Sequence, residues 1–277
     1  MKLNLHELNN REQWINKGYG LSTYDRDKVV NNTLANPKWV HFGAGNIFRG
    51  FPAALMQNLL ENNEEDTGII VGEGFDFEII DKIYTPHDNL SLLVTLNSDG
   101  TIEKKVIDSL VASYKCDYQF KDDWNKLNKV FSAKSLEMVS FTITEKGYSL
   151  VDGNNKYYNI AIEDFNNGPN NSKLFLSKLT ALVYSRYKTV NWPLALVSMD
   201  NCSHNGEKLE NAVKTIAREW VNNKLVDKEF IEYLNSKVSF PWSMIDKITP
   251  RPDASVVEML KKDGFEDDAE QLTSATV

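Results

Sequence analysis

Gly43-Ala44-Gly45 stands between a short apolar run, Trp39-Val40-His41-Phe42, and a stretch in which Phe48, Phe51, Leu55, Met56, Leu59 and Leu60 recur at helical spacing. A strand that turns through glycine into a helix leaves backbone N–H groups uncovered by any Cβ. The helix start adds a partial positive charge, and together these suit a phosphate anion such as the diphosphate of a dinucleotide. The usual fingerprint places a third glycine at position 48, where this chain has Phe48, with Gly50 two residues later. The same glycines also suit an ordinary strand-to-helix turn. Glu73 closes the next apolar run, Gly68-Ile69-Ile70-Val71. A carboxylate there can accept hydrogen bonds from ribose hydroxyls and would repel a 2′-phosphate. Gly74-Phe75-Asp76 brings no cation to offset it, so NAD is expected over NADP. The alternative is a solvated glutamate at a strand end.

The elements that must position these residues are legible in outline. Residues 38–74 read as strand, glycine turn, helix and strand, a crossover unit that implies parallel strands. Pro52 is tolerated in the first turn of its helix. Leu90 to Leu96, the turn Asn97-Ser98-Asp99-Gly100, and Thr101 to Leu110 read as two antiparallel strands, an inserted hairpin. A helix over Asp122–Phe131 leads to a strand over Met138–Thr142. An Asn- and Gly-rich loop over Asp152–Asn171 precedes a helix over Ser172–Tyr187. The strand Leu194–Ser198 is nearly all apolar, as burial on both faces of a parallel sheet requires. A helix over Glu207–Asn222 and a strand over Lys237–Phe240 follow, and an acidic, partly helical stretch, Glu258–Glu270, comes near the end. The expected class is α/β, a doubly wound Rossmann-type, mostly parallel sheet with a β-hairpin insertion.

Composition narrows the functional classes. Of 277 residues, 42% are apolar and 25% charged, as in ordinary globular proteins. A net charge of −8 argues against nucleic acid or an anionic membrane surface as partner. No run approaches a membrane-spanning helix, the N-terminus is too polar for a signal peptide, and two distant cysteines suit a reducing cytoplasm. Four histidines without a close pair make a metal site unexpected.

Four segments carry a resemblance. They are Gly43-Ala44-Gly45-Asn46-Ile47-Phe48-Arg49-Gly50, Thr144-Glu145-Lys146-Gly147-Tyr148, Ser198-Met199-Asp200-Asn201-Cys202-Ser203-His204-Asn205-Gly206, and Phe240 through Pro250. In this order and spacing they resemble the mannitol dehydrogenase family of long-chain polyol dehydrogenases, and within it the fructuronate-reducing branch. The resemblance spans about residues 37 to 253. It implies a metal-independent oxidoreductase that moves hydride between NAD(H) and a sugar acid or polyol, here D-fructuronate with NADH giving D-mannonate. It also implies site roles. Gly43, Ala44, Gly45, Asn46, Ile47, Phe48 and Arg49 belong to the cofactor loop, and Thr144 lies on the nicotinamide side. Glu145 would relay protons to solvent, Asn201 would donate its amide to the reacting oxygen, and Asp246 would bind substrate hydroxyls. Read without the resemblance, Asp200-Asn201 suits an Asx turn capping a helix, and Asp246 a surface acid beside Lys247 or Arg251. Glu145 suits a turn, His204 a loop, and Cys202 a partly buried thiol.

The family's catalytic pattern, K-x-x-x-x-N-x-x-H in a helical C-terminal domain, does not occur in the sequence. Asn201-Cys202-Ser203-His204 supplies its second half, but Leu196 stands at the lysine position. The organisation expected is an N-terminal arm over 1–36, an NAD-binding domain over 37–253, and the start of a linker over 254–277 to a C-terminal domain absent from the sequence. A positioned base is worth about 10²–10⁴-fold in rate, so weak NAD(H) binding with negligible turnover is expected of this chain alone. Two other readings stay open: a non-catalytic nucleotide-binding module, and a sister enzyme acting on mannitol, mannitol 1-phosphate or tagaturonate.

Overall fold

The computed structural model describes residues 1–276. Ten strands form two sheets: β1 (Tyr19–Gly20), β2 (Trp39–Phe42), β3 (Ile69–Glu73), β4 (Ser91–Leu96), β5 (Ile102–Ile107), β6 (Leu110–Lys115), β7 (Met138–Phe141), β8 (Leu194–Ser198), β9 (Val238–Ser239) and β10 (Thr273–Thr276). The larger sheet has the order β6-β3-β2-β7-β8-β9, and every pairing in it is parallel. Reading outward from β2, the first three strands run to one side and the last three to the other. The order therefore reverses between β2 and β7, where a ligand crevice opens at the strands' carboxyl ends. The doubly wound Rossmann-type architecture expected from the sequence is the one found.

Burial on both faces explains why the strands read as apolar runs. Val40, Phe42, Ile70, Val139 and Leu196 join an apolar cluster on one face with the helices Phe175–Thr189 and Asn205–Asn222. Ile69 and Val71 point the other way, into a second cluster with Phe48, Leu60 and the smaller sheet. Period-two alternation of β3 thus feeds two cores.

The smaller sheet, β1-β5-β4-β10, is built on the expected hairpin, with β4 and β5 antiparallel. The sequence reading ran its second strand through to Leu110. The chain instead breaks at Asp108-Ser109, and Leu110–Lys115 crosses into the larger sheet as its edge strand. Two further helices, Asn159–Asn167 and Glu229–Ser236, lie where a loop and no element were expected. The helix expected after the glycine turn is two helices, Asn46–Gly50 and Pro52–Glu61, jointed at Phe51. Thr273–Thr276 supplies β10 beside β4, and Val277 lies outside the described residues. Leu3, Trp14 and Val29 from the first 36 residues, and Val256, Leu260 and Phe265 after residue 253, share the second apolar cluster with the larger sheet.

Candidate functional site

The glycine loop leaves β2 at the point where the sheet reverses. Gly43 has φ +112°, and a Cβ there would lie 2.4 Å from the Thr142 carbonyl oxygen. Only glycine lets the loop pass this close to the end of β7. Gly45 is different: a Cβ on it would meet nothing within 4 Å. The space beside it opens into a groove of about 450 Å³ lined by Gly43, Ala44, Gly45, Glu73 and Phe75, with residues 142–144, Lys146 and Gly147. A second cleft of about 510 Å³ shares Gly45 and is lined by Asn46, Arg49, Lys82, Ile83 and Arg251, with Asp76 and Glu78.

The loop is held from behind. Ala44 donates its N–H to Glu73 Oε2 at 2.9 Å and accepts from the Tyr84 hydroxyl at 2.7 Å. Glu73 Oε1 accepts from the amides of Gly74 (2.8 Å), Phe75 (2.8 Å) and Asp76 (3.3 Å). Glu73 is thus not a solvated strand-end glutamate: its carboxylate accepts from four backbone amides of the chain itself. It is 6% exposed and ties the end of β3 to the glycine loop. Tyr84, buried, has its phenol pushed up by desolvation and stays a neutral donor.

Phe48 occupies the position of the third fingerprint glycine, and its side chain faces the core. It stacks on His41 at a centroid distance of 4.2 Å, and both are fully buried. Gly50, two residues on, is also closely approached: a Cβ there would lie 3.1 Å from both Thr249 and Ser274. His41 bonds Ser140 Oγ (2.7 Å) and Thr142 Oγ1 (2.9 Å). Burial lowers its pKa to about 3, with a smaller opposing effect from the Gly43 backbone. Arg49 is 3% exposed and bonds the Asn46 side chain; desolvation and the nearby Arg251 both lower its pKa, and Tyr84 raises it. Two guanidiniums therefore lie within electrostatic reach of each other along the cleft beside Gly45.

Across the crevice, the loop after β7 carries Thr144 and Glu145. Thr144 lines the groove with the glycine loop. Glu145 is exposed and pairs with Lys208 at 2.5 Å. Asn201, at the end of β8, is exposed, and its amide has no hydrogen-bond partner among the described residues. It does not cap the next helix, whose N-cap is His204. Asp246 is likewise exposed, without the Lys247 or Arg251 ion pair considered from the sequence, and its segment is hung on β8 through Ile245 N–H to Met199 O at 3.2 Å. The fold thus gathers Gly43–Arg49, Glu73, Thr144, Glu145, Asn201 and Asp246 at one end of one sheet.

Two site residues escaped the sequence reading in their present roles. Asp200, read as a possible capping residue, accepts from Ile143 N, Thr144 N and the Tyr148 hydroxyl. Arg251, considered from the sequence as an ion-pair partner of Asp246, lines the cleft beside Gly45. The described residues contain no group of His, Cys, Asp and Glu able to hold a metal ion, and no helix long and apolar enough to cross a membrane.

Comparison with known proteins agrees with the fold. The chain is 48% identical over 266 residues to D-mannonate oxidoreductase of Thermotoga maritima, covering 96% of this chain and 49% of that protein. It is 27% identical to mannitol 2-dehydrogenase of Pyrenophora tritici-repentis, over 94% of this chain and 44% of that one. The solved ternary complex of Pseudomonas fluorescens mannitol 2-dehydrogenase with NAD and D-mannitol shares the fold, with a TM-score of 0.79 at 21% identity, covering 100% of this chain and 52% of that chain. The chain spans about half the length of the curated relatives it matches. Residues 37–276 match the profile of the mannitol dehydrogenase Rossmann domain, and the chain belongs to that family.

Proposed function

We propose that this chain is the dinucleotide-binding half of an NAD-dependent oxidoreductase that interconverts D-fructuronate and D-mannonate. The observation that carries the reading is the open ground at Gly45, at the reversal point of a parallel sheet, where a side chain would meet nothing and backbone and two arginines converge. The residues present fit the cofactor. The amides of Gly45, Asn46 and Ile47, with Arg49 and Arg251, would hold the diphosphate. The groove along Thr142–Gly147 would take the nicotinamide, and the carboxylates of Glu73 and Asp76 at the end of β3 disfavour a 2′-phosphate. The choice of sugar acid rests on the relative at 48% identity.

When bound, the nicotinamide supplies or takes the hydride. This chain's residues act around that transfer. Asn201 donates its unpaired amide to the reacting oxygen as negative charge builds there. Asp246 accepts from substrate hydroxyls. Glu145, exposed beside Lys208, exchanges protons with solvent. No K-x-x-x-x-N-x-x-H lysine occurs in these 277 residues, so the proton on the alcohol oxygen has no base here, and turnover by this chain alone is negligible.

The test is NADH binding by fluorescence and fructuronate reduction, measured on this chain and on a fusion to the second half of the Thermotoga relative. Binding by both and turnover by the fusion alone is the expected result. A fusion active on mannitol but not on fructuronate overturns the substrate, and binding of NADPH without NADH overturns the cofactor.

A further inference from the structure

Thr144 has φ 67° and ψ 158°. A β-branched residue does not adopt this region unless its surroundings impose it, because Cβ crowds the neighbouring peptide. The surroundings here are specific. Asp200 Oδ1 accepts the Thr144 N–H at 2.9 Å, and Oδ2 accepts the Ile143 N–H at 3.0 Å. The Thr144 carbonyl accepts from Gly147 N–H at 3.0 Å, so the residue is pinned on both sides. The Tyr148 hydroxyl lies 2.5 Å from Asp200 Oδ2 and 2.7 Å from Ser198 Oγ. All three donors to the carboxylate come from one loop, which follows β7, while Asp200 follows β8. Its own carbonyl is fixed by the Asn205 side chain at 2.9 Å. The loop held in this way lines the groove opposite Gly43–Gly45.

We infer that Asp200 is a positioning residue: its carboxylate holds Thr144 in a strained backbone so that the 143–148 loop is preformed to receive the nicotinamide half of the cofactor. The inference rests on the dinucleotide reading above. A carboxylate suits the task because it only accepts. An asparagine at 200 would keep one acceptor oxygen and turn an NH₂ group towards a peptide N–H or the tyrosine hydroxyl. Freed from its anchor, Thr144 would relax towards ordinary φ, and the groove wall would move with it.

NADH carries the nicotinamide ring, whereas ADP-ribose has the adenosine, the diphosphate and the second ribose but lacks that ring, so the two ligands separate contacts to the nicotinamide from contacts to the rest of the cofactor. Asp200→Asn is expected to weaken NADH about tenfold or more and ADP-ribose less than about twofold. Tyr148→Phe keeps both amide bonds and is expected to lose NADH affinity less than Asp200→Asn does. Melting temperatures supply a readout without cofactor. Thr144→Gly relieves the strained position and raises the melting temperature, and Asp200→Asn costs less in that background than beside Thr144. Equal losses of NADH and ADP-ribose would make the effect general damage and overturn the inference. So would unchanged NADH affinity in Asp200→Asn, or strictly additive melting shifts. A wild-type chain that binds neither ligand would instead refute the dinucleotide reading, and the melting cycle would still report whether Asp200 holds Thr144.

Discussion

Lowering the pH from 7 to 5 attacks the stability of the fold through His41. The imidazole is fully buried between Ser140 and Thr142 and stacked under Phe48, and burial brings its pKa from 6.5 down to about 3. The native state therefore holds it neutral throughout this window, while the unfolded chain protonates it below pH 6.5. The unfolded state binds more protons, so the stability present above pH 6.5 is lost as the pH falls, and the loss is complete near pH 3. Between pH 7 and pH 5 this one group removes about 2 kcal/mol of stability. Urea unfolding of the wild type and His41→Gln at both pH values isolates the histidine, because every other titrating group is shared. The wild type should lose about 2 kcal/mol more than the variant on going to pH 5. Equal pH slopes in the two proteins would refute the account of His41 as a buried neutral base beneath the loop.

The two loop glycines should fail differently. Gly43→Ala puts a Cβ 2.4 Å from Thr142 O at φ +112° and should cost stability, about 2 kcal/mol or more, by thermal unfolding. Gly45→Ala points into open space and should melt like the wild type while losing NADH affinity by about tenfold. Glu73→Gln turns an NH₂ towards backbone amides that now share a carboxylate; calorimetric titration should show weaker NADH binding and no gain for NADPH, since Asp76 remains. Arg186 is fully buried and donates to the carbonyls of Phe131, Ala133, Leu136, Trp192 and Pro193 at 2.7–3.0 Å. Arg186→Met should destabilise by about 3 kcal/mol or more in urea unfolding yet leave NADH affinity of the folded fraction unchanged, because these carbonyls lie at the opposite ends of the strands.

How far the sequence could be read follows from where each residue's partners lie. The unit from Trp39 to Glu73 was legible because its strands are short apolar runs closed by glycine, and local pattern decides such elements. The break at Asp108-Ser109 was not, since Val106 to Val111 reads as one extended run. What breaks it comes from afar: Asp108 takes the Ser22 and Tyr24 hydroxyls, and Ser109 Oγ bonds the Ala53 carbonyl. β1 and β9 have two residues each, and their pairing, with that of β10, is set by neighbours distant in sequence. Phe48 was expected among the cofactor residues because it belongs to the motif, but no local pattern reveals that His41 lies beneath it.

The same limit applies to the two acids of the site, and here the structure shows a shared logic. Loops leaving the carboxyl ends of a parallel sheet carry N–H groups that no strand partner accepts. On each side of the crevice a carboxylate at the adjacent strand's end accepts them: Glu73, the last residue of β3, for Ala44 of the glycine loop, and Asp200, just past β8, for the 143–148 loop. Neutral side chains offer fewer acceptors, so acids are the economical choice of residue type. The cost is negative charge at the rim of a site whose proposed ligand is an anion, and Arg49 and Arg251 are the charges placed to offset it. Neutralising Arg251 should therefore weaken a diphosphate ligand more than the loss of a single exposed ion pair would. Arg251→Gln is expected to reduce ADP-ribose and NADH affinity by the same factor, about three- to tenfold at low salt, with the gap to wild type closing as salt screens it. A loss confined to NADH would mean that Arg251 serves the nicotinamide side, and the assignment of the diphosphate to the cleft beside Gly45 would fall.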